Sequence, residues 1–263
     1  MFSQYITIAY RHLAKDKLYS LFLILGLGLG LGIFMFGVKI FLYASTTDSF
    51  LQDAERIYCI VQKYQFRNGE EKHLAYVPFP LAMTLKNEIP AVEEFTRIFE
   101  SGRTVVEYEQ KKFYENSIYF VDPNFLNFFT FDVLSGNRET MLTQPNSIVL
   151  TRATALKYFG QENPVGKLLT LNNKQAVVVT GIVENLSSYP SASSMRYDFL
   201  VSMETARALY GSSLEQWNNS RYTGFVRLRR GTSTGDWKIR CNLFSRDIIL
   251  LRRNRQRRCT SIP

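Results

Sequence analysis

The sequence predicts an α+β fold: one membrane helix near the N-terminus, followed by a mixed α+β extracytoplasmic domain with room for two lobes. Three observations carry this. From Leu18 to Val38 the chain has no charged residue, and 21 residues at 1.5 Å rise make about 30 Å of helix, the thickness of a bilayer hydrocarbon core. From Ile57 onward the apolar period changes from helical to two. Strands and short helices then alternate without regular βαβ units, which separates α+β from a doubly wound sheet.

Before the span, Phe2, Tyr5, Ile6, Ala9 and Leu13 recur at helical spacing opposite Gln4, Thr7, Arg11 and Lys15. Residues 1–17 therefore read as an amphipathic helix at the cytoplasmic interface, with His12 and the basic side chains among headgroups. Residues 18–44 are the span itself. Its length and its continuation through Lys39 into IFLY favour an uncleaved anchor over a signal peptide, whose apolar region is shorter. Arg11, Lys15 and Lys17 before it and the acidic ASTTDSFLQDAE after it place the N-terminus in the cytoplasm and the main domain outside. Gly26, Gly28, Gly30 and Gly32 alternate with leucine, and Gly37 follows. Each would cost about 1 kcal/mol in a water-exposed helix, whereas in lipid small residues let helix backbones approach. These five are the candidate helix-packing residues.

Residues 46–233 form the predicted outer domain. RIYCIVQKYQF is a strand, Asn68-Gly69 a hairpin turn and KHLAYV the return strand. Pro80 opens a helix closed by Pro90. Thr104–Tyr108 and Phe113–Val121 read as a hairpin around EQKK. Asp122-Pro123 reads as a helix cap for NFLNFF, and FDVL as a strand ending at Gly136-Asn137. SIVL is a strand, Thr151 an N-cap, and RATALKYF a helix stopped by Gly160. LLTL, the turn Asn172-Asn173 and KQAVVVTGIVE form a further hairpin, in which Gly181 marks a bulge or a close backbone contact. YDFLVSM is a strand, ETARALYG a helix and TGFVRLR a last strand. Gly160, Pro164 and Gly166 shape an architectural turn between helix and strand. Phe125, Phe128, Phe129 and Phe131, at helical spacing beside a strand, read as core.

The formal charge of +9 is unevenly spread. Residues 236–263 carry +6 and residues 1–17 carry +2, which leaves the main domain nearly neutral and excludes a nucleic-acid signal there. The cysteines, Cys59, Cys241 and Cys259, form neither a CxxC pair nor an even framework. The histidines, His12 and His73, fall on opposite sides of the expected membrane. No HExxH, GxSxG or Walker A sequence occurs, and Glu70-Glu71, Glu93-Glu94, Glu107 and Glu109 read as solvated faces. The expected catalytic, cofactor and metal residues are therefore none, and ATP hydrolysis would need another subunit.

The order of YITIAYRHLAKDKLYSLFLILGLGLGLG, DAERIYCI, YFVDPNFLNFFTFDVLSGN, PNSIVLTRATALKYFGQENPVGK, VVVTGIVENL and YDFLVSM resembles the N-terminal half of a MacB/FtsX-type ABC transporter permease. The resemblance covers the first membrane helix and the MacB-like periplasmic core domain, with KYFGQENPVGK its most specific piece. It implies a bacterial inner-membrane subunit without chemistry of its own, paired with a second permease chain and driven by a separate cytoplasmic ATPase. Its outer domain would relay motion to a substrate or partner, for transport, efflux or mechanotransmission. The loop LSSYPSASSMR departs from the pattern, where similar proteins read a proline and then Ser-His. After Ser233 the pattern would continue into further spans. Residues 234–263 read instead as an atypical, disordered basic tail from truncation or frame-shift, because IILL is too short to cross a bilayer. The alternative to a permease is a single-span anchored binding or sensor protein with no ATPase partner.

Overall fold

The computed structural model describes residues 15, 17–46, 51–65, 69–189, 195–232, 237–241 and 246–252. The expected amphipathic helix, apart from Lys15 and Lys17, lies outside these residues, as do Asn68, residues 190–194 of the departing loop and the RRNRQRR run after Arg252. The chain divides into a helical unit ending at Thr46 and an outer unit beginning at Thr47.

Helix α1, Lys17–Thr46, has 30 residues, about 45 Å at helical rise. Its apolar stretch over Lys17–Leu42 has a mean hydropathy of 2.5, and Leu21 to Leu42 are exposed all round. A helix apolar on every face, with no polar stripe, is suited to lipid and unsuited to water.

The outer unit is built on one sheet. Its strands are β1 (Ile57–Gln65), β2 (Glu71–Leu74), β3 (Tyr76–Pro78), β4 (Val92–Glu100), β5 (Thr104–Tyr108), β6 (Lys111–Glu115), β7 (Ile118–Val121), β8 (Val133–Ser135), β9 (Ser147–Thr151), β10 (Leu168–Leu171), β11 (Gln175–Val183), β12 (Phe199–Ser202), β13 (Ser220–Leu228), β14 (Trp237–Cys241) and β15 (Arg246–Arg252). The order is β14-β15-β1-β13-β4-β7-β12-β9-β11-β10-β5-β6, with β2, β3 and β8 added at β1, β13 and β11. Pairing is antiparallel except for β11 on β9 and β12 on β7. One continuous sheet runs through the unit, which suits one domain or two lobes sharing a sheet.

Helices α2 (Phe79–Glu88), α4 (Arg152–Phe159) and α5 (Met203–Tyr210) pack on one face, where Leu81, Leu85, Tyr158, Phe159 and Met203 meet Tyr58, Ile60, Ile148, Phe199 and Val201. The short helix α3, Phe125–Phe129, covers the other with Phe131, against Cys59, Val61, Val149, Leu200 and Phe225. Central strands therefore alternate between two buried faces, which explains why SIVL and FLVS read as continuous apolar runs. The four phenylalanines at 125, 128, 129 and 131 are fully buried. Their rings meet at 4.9–5.9 Å, two contacts edge to face and two tilted, and the edge-to-face pairs have the arrangement favoured by ring quadrupoles.

The predicted details hold where local chemistry dominates. Asn172 and Asn173 both take positive φ, 50° and 57°, the geometry of a two-residue hairpin turn. The Thr151 hydroxyl accepts from the Thr154 amide at 3.4 Å and caps α4. Thr151→Ala is expected to destabilise the outer unit by about 1 kcal/mol, read as a lowered denaturation midpoint with an unchanged slope.

Three expectations are corrected. The segment Phe113–Val121 is not one strand: it breaks at Asn116-Ser117, leaving β6 as the sheet edge beside β5 while β7 enters the centre between β4 and β12. The Ser117 carbonyl accepts from the amides of Asp198 and Phe199, which directs the crossing. Asp122 does not cap α3 with its side chain. The N-cap is Asn124, without a side-chain cap bond, because the Asp122 carboxylate turns inward to Arg97. Finally, the supposed tail contains two strands, so TGFVRLR is not the last. Tyr58–Gln62 of β1 pairs with Ile248–Arg252 of β15, and Ile248, Ile249 and Leu250 are buried. Four apolar residues too short for a bilayer are ample for a strand.

Candidate functional site

Two places answer to the sequence-predicted residues: the glycine faces of α1 and the turn after α4. On α1, an added Cβ at Gly26, Gly28, Gly30, Gly32 or Gly37 would meet nothing within 4 Å. Residues four apart lie 40° apart around a helix and residues two apart 200°. Gly26 with Gly30 and Gly28 with Gly32 thus form two shallow grooves on nearly opposite sides. They are walled by exposed Leu25, Leu27, Leu29 and Leu31. Grooves of this kind admit a second helix closely, and the leucines supply the contact area.

At the end of α4, Gly160 has φ +62° and Gly166 φ +88°, backbone states in which a side chain is strained. The Gly160 amide donates to the Leu156 carbonyl at 2.9 Å, closing the helix. The Gly166 amide donates to the Val179 carbonyl at 2.7 Å, and the Val179 amide to the Lys167 carbonyl at 2.9 Å. The turn is thereby stitched to β11. Gly160 and Pro164 line a depression of about 320 Å³ with Leu134, Leu156, Ile182 and Arg152; Gly166 does not. Leu134 and Leu156 are 42% and 49% exposed. Arg152 is bridged to Glu184 at 2.9 Å, and Glu162 is paired with Lys167, whose hydrogen bond and charge hold the Glu162 carboxyl below its ordinary range. Among the residues lining the depression there is no nucleophile beside a base.

Of the acidic residues expected on solvated faces, Glu70, Glu71, Glu93 and Glu109 are exposed, and the Glu93-Glu94 pair is ion-paired as well. Glu93 binds Arg56 at 2.7 Å and Glu94 binds Arg227 at 3.3 Å. Arg56 also binds Asp53 at 2.6 Å and donates to the Leu228 carbonyl at 2.9 Å, and Asn124 donates to Glu94. The start of β1 is thus fastened to the end of β13 and the start of β4. Asp53, in a left-handed conformation at φ 55°, has its carboxyl held below the usual range by the Arg56 hydrogen bond.

Sequence reasoning also missed two buried polar groups. The Arg97 guanidinium forks onto both Asp122 oxygens at 2.9 and 2.7 Å and donates to the Phe79 carbonyl at 3.0 Å, while the Arg97 amide donates to Asp122 at 2.8 Å. Its plane lies 3.6 Å from the Phe79 ring centre. Glu115 accepts from the Tyr158 hydroxyl at 2.7 Å and from Lys157 at 2.6 Å. Burial, then the hydrogen bond and charge of Glu115, push the Tyr158 hydroxyl far above its ordinary range, so it serves as a permanent donor. Every charge in both groups is matched, which marks them as structural. Cys59 is buried in β1 outside any disulfide and His73 lies in β2. No set of three His, Cys, Asp or Glu groups around a metal position occurs among the described residues.

The family model of the MacB-like periplasmic core domain matches residues 20–238. Among solved structures, a domain of a candidate permease protein from Porphyromonas gingivalis is 27% identical, with a TM-score of 0.60, covering 70% of this chain and 77% of that one. The periplasmic region of MacB from Actinobacillus actinomycetemcomitans is 16% identical over 68% of this chain and 77% of its own, with a TM-score of 0.48. The extracellular domain of the noncanonic ABC-type transporter YknZ from Gram-positive bacteria is 13% identical over 67% and 89%, with a TM-score of 0.43. Among curated proteins, no sequence matches the chain.

Proposed function

Because the chain belongs to the MacB-like periplasmic core domain family, an ABC-type transporter permease component, we propose that it is the membrane subunit that relays a separate ATPase's action to the far side of the membrane. The observation that carries this reading is continuity. The family match begins inside the apolar helix at residue 20 and runs to residue 238, so one chain joins a bilayer-length helix to the family's sheet domain. The family is that of a transporter domain and not of an enzyme class. Membership of that family, with Lys15 and Lys17 at the N-terminal end of the helix, supports an outer domain facing away from the cytoplasm.

The relay needs a rigid load path and a partner helix. Within the outer unit the ion pairs of Asp53, Arg56 and Glu93 and the Arg56 bond to Leu228 tie the strand that receives the chain from α1 to strand β13. The paired grooves of α1 suit a second permease chain, as homodimer or heterodimer. Co-expression with a candidate cytoplasmic ATPase subunit from the same organism is expected to yield a co-purifying complex in mild detergent. Replacing Gly28 and Gly32 together by isoleucine is expected to reduce cross-linking between permease chains at least fivefold, with the outer unit's melting temperature unchanged. A chain that never co-purifies with an ATPase, and whose cross-linking ignores these glycines, would point instead to an anchored binding protein.

A further inference from the structure

The outer unit carries a second depression, on the helix-covered side of the fold and apart from the turn at Gly160. It holds about 390 Å³ and is lined by Tyr210, Leu214, Gln216, Asn218, Asn219 and Arg221, the segment between the end of α5 and the start of β13. That volume lies within the range of small-ligand sites, about 300–1,000 Å³. Its chemistry differs from that of the Gly160 depression, since one aromatic ring, three carboxamides and one guanidinium face a common space.

Three of the polar groups there are uncommitted. The side chains of Gln216, Asn218 and Arg221 make no hydrogen bond or ion pair with the described residues. The neighbouring acid, Glu215, is engaged by Arg207 at 2.6 Å, and Arg207 also holds Glu204 at 2.5 Å. Arg221 is therefore the uncompensated charge of the depression. It lies near enough to Tyr210 for its charge to favour the ionised phenol, against the larger effect of burial, which pushes the hydroxyl up. The Tyr210 ring packs nearly perpendicular to Phe99, at 5.4 Å, and to Phe120, at 6.1 Å, and remains 38% exposed. A fixed, half-open ring is a stacking wall that needs no ordering when a ligand arrives.

Each group selects among ligands. A carboxamide offers donors and an acceptor together, which suits hydroxyl groups that do both. The guanidinium fork matches a planar carboxylate. An aromatic wall takes the C–H face of a pyranose. A fatty-acyl chain would find little here besides Leu214 and the ring, and a polyphosphate would find one cation. The geometry points to a binding site for a sugar carrying a carboxylate, with Arg221 on the carboxylate, Gln216 and Asn218 on ring hydroxyls, and Tyr210 beneath the ring. The site lies wholly within the outer unit and does not depend on an ATPase partner, so its failure and that of the permease reading are separable.

The test is titration of the full-length protein in detergent with glucuronic acid, glucose and inorganic phosphate, followed by ligand-observed saturation-transfer NMR and calorimetry. Saturable glucuronate binding is expected, with glucose at least tenfold weaker and phosphate not competing. Arg221→Ala is expected to weaken glucuronate at least tenfold while leaving glucose unchanged. Asn218→Ala, at an exposed position, should weaken both sugars severalfold. An unchanged melting temperature in each variant excludes misfolding as the cause. Absence of saturable glucuronate binding, equal binding by Arg221→Ala, or displacement by phosphate at equal concentration would overturn the assignment.

Discussion

Arg97→Ala is expected to destabilise the outer unit by about 3–5 kcal/mol, the cost of leaving a buried charge without its partner. The Arg97 and Asp122 side chains are 6% and 9% exposed, so water cannot replace what is removed. The loss is compound. Both Asp122 oxygens lose a charged donor, the Phe79 carbonyl loses the bond that holds the start of α2, and the Phe79 ring loses the cation stacked on it at 3.6 Å. Only the Arg97 amide remains for Asp122, at 2.8 Å. Asp122→Asn keeps the shape and one acceptor and is expected to cost less. A double variant, Arg97→Met with Asp122→Leu, removes both charges and is expected to recover most of the stability lost in Arg97→Ala, because apolar replacements of buried pairs are often neutral. Chemical denaturation of the three variants, with slopes compared, checks the order. Equal loss in the single and double variants would mean that packing, and not charge, dominates at this site.

The same pair shows what was hidden from the sequence. Strand β4 reads VEEFTRIFE, and its glutamates and arginine obscure a continuous buried run in which Thr96 and Arg97 are enclosed along with Ile98 and Phe99. A charge inside a strand looks like solvent until its partner, 25 residues away, is known. Asp122 was misassigned for the same reason: an Asp before Pro and an apolar run is a good cap by local chemistry, yet here a long-range guanidinium takes the carboxylate. The β14–β15 hairpin was obscured by composition, since Arg240, Arg246 and Arg252 flank the apolar Ile248–Leu250 that is buried beside β1. By contrast, α1, the hairpin turn at Asn172-Asn173 and the phenylalanine core depended on short-range pattern alone, and all three appear as read. At the candidate sites, the left-handed glycines of the 160–166 turn were legible because φ is local. Neither depression was, since convergence of Leu134 on Leu156, or of Arg221 on Tyr210, is a property of the fold.

One long-range feature was legible, and it carries a large expected effect. Gly181, inside the apolar strand β11, was read as a bulge or a close backbone contact, and it is both. The β9–β11 register shifts between Val179 and Gly181, and a Cβ at Gly181 would lie 2.8 Å from the Ser135 carbonyl oxygen and about 3 Å from the Met141 side chain. Its counterpart is Gly136, with φ +98°, where a Cβ would lie 2.5 Å from the Thr180 carbonyl oxygen and 2.9 Å from the Gly181 Cα. The nearest obstructing atom at each glycine is backbone, so no rotamer change alone can make room. The two glycines let β8 dock on β11 and bring Leu134 to the rim of the depression at Gly160. Gly136→Ala combines a left-handed penalty with overpacking and is expected to cost about 2–4 kcal/mol. Gly181→Ala, free of the φ penalty, should cost less, and the two together should cost less than their sum, because the first displacement of β8 relieves the second clash. A loss below about 0.5 kcal/mol for Gly136→Ala, of the size of an ordinary surface change, would show that β8 detaches freely; strict additivity would show that the two glycines do not share one contact.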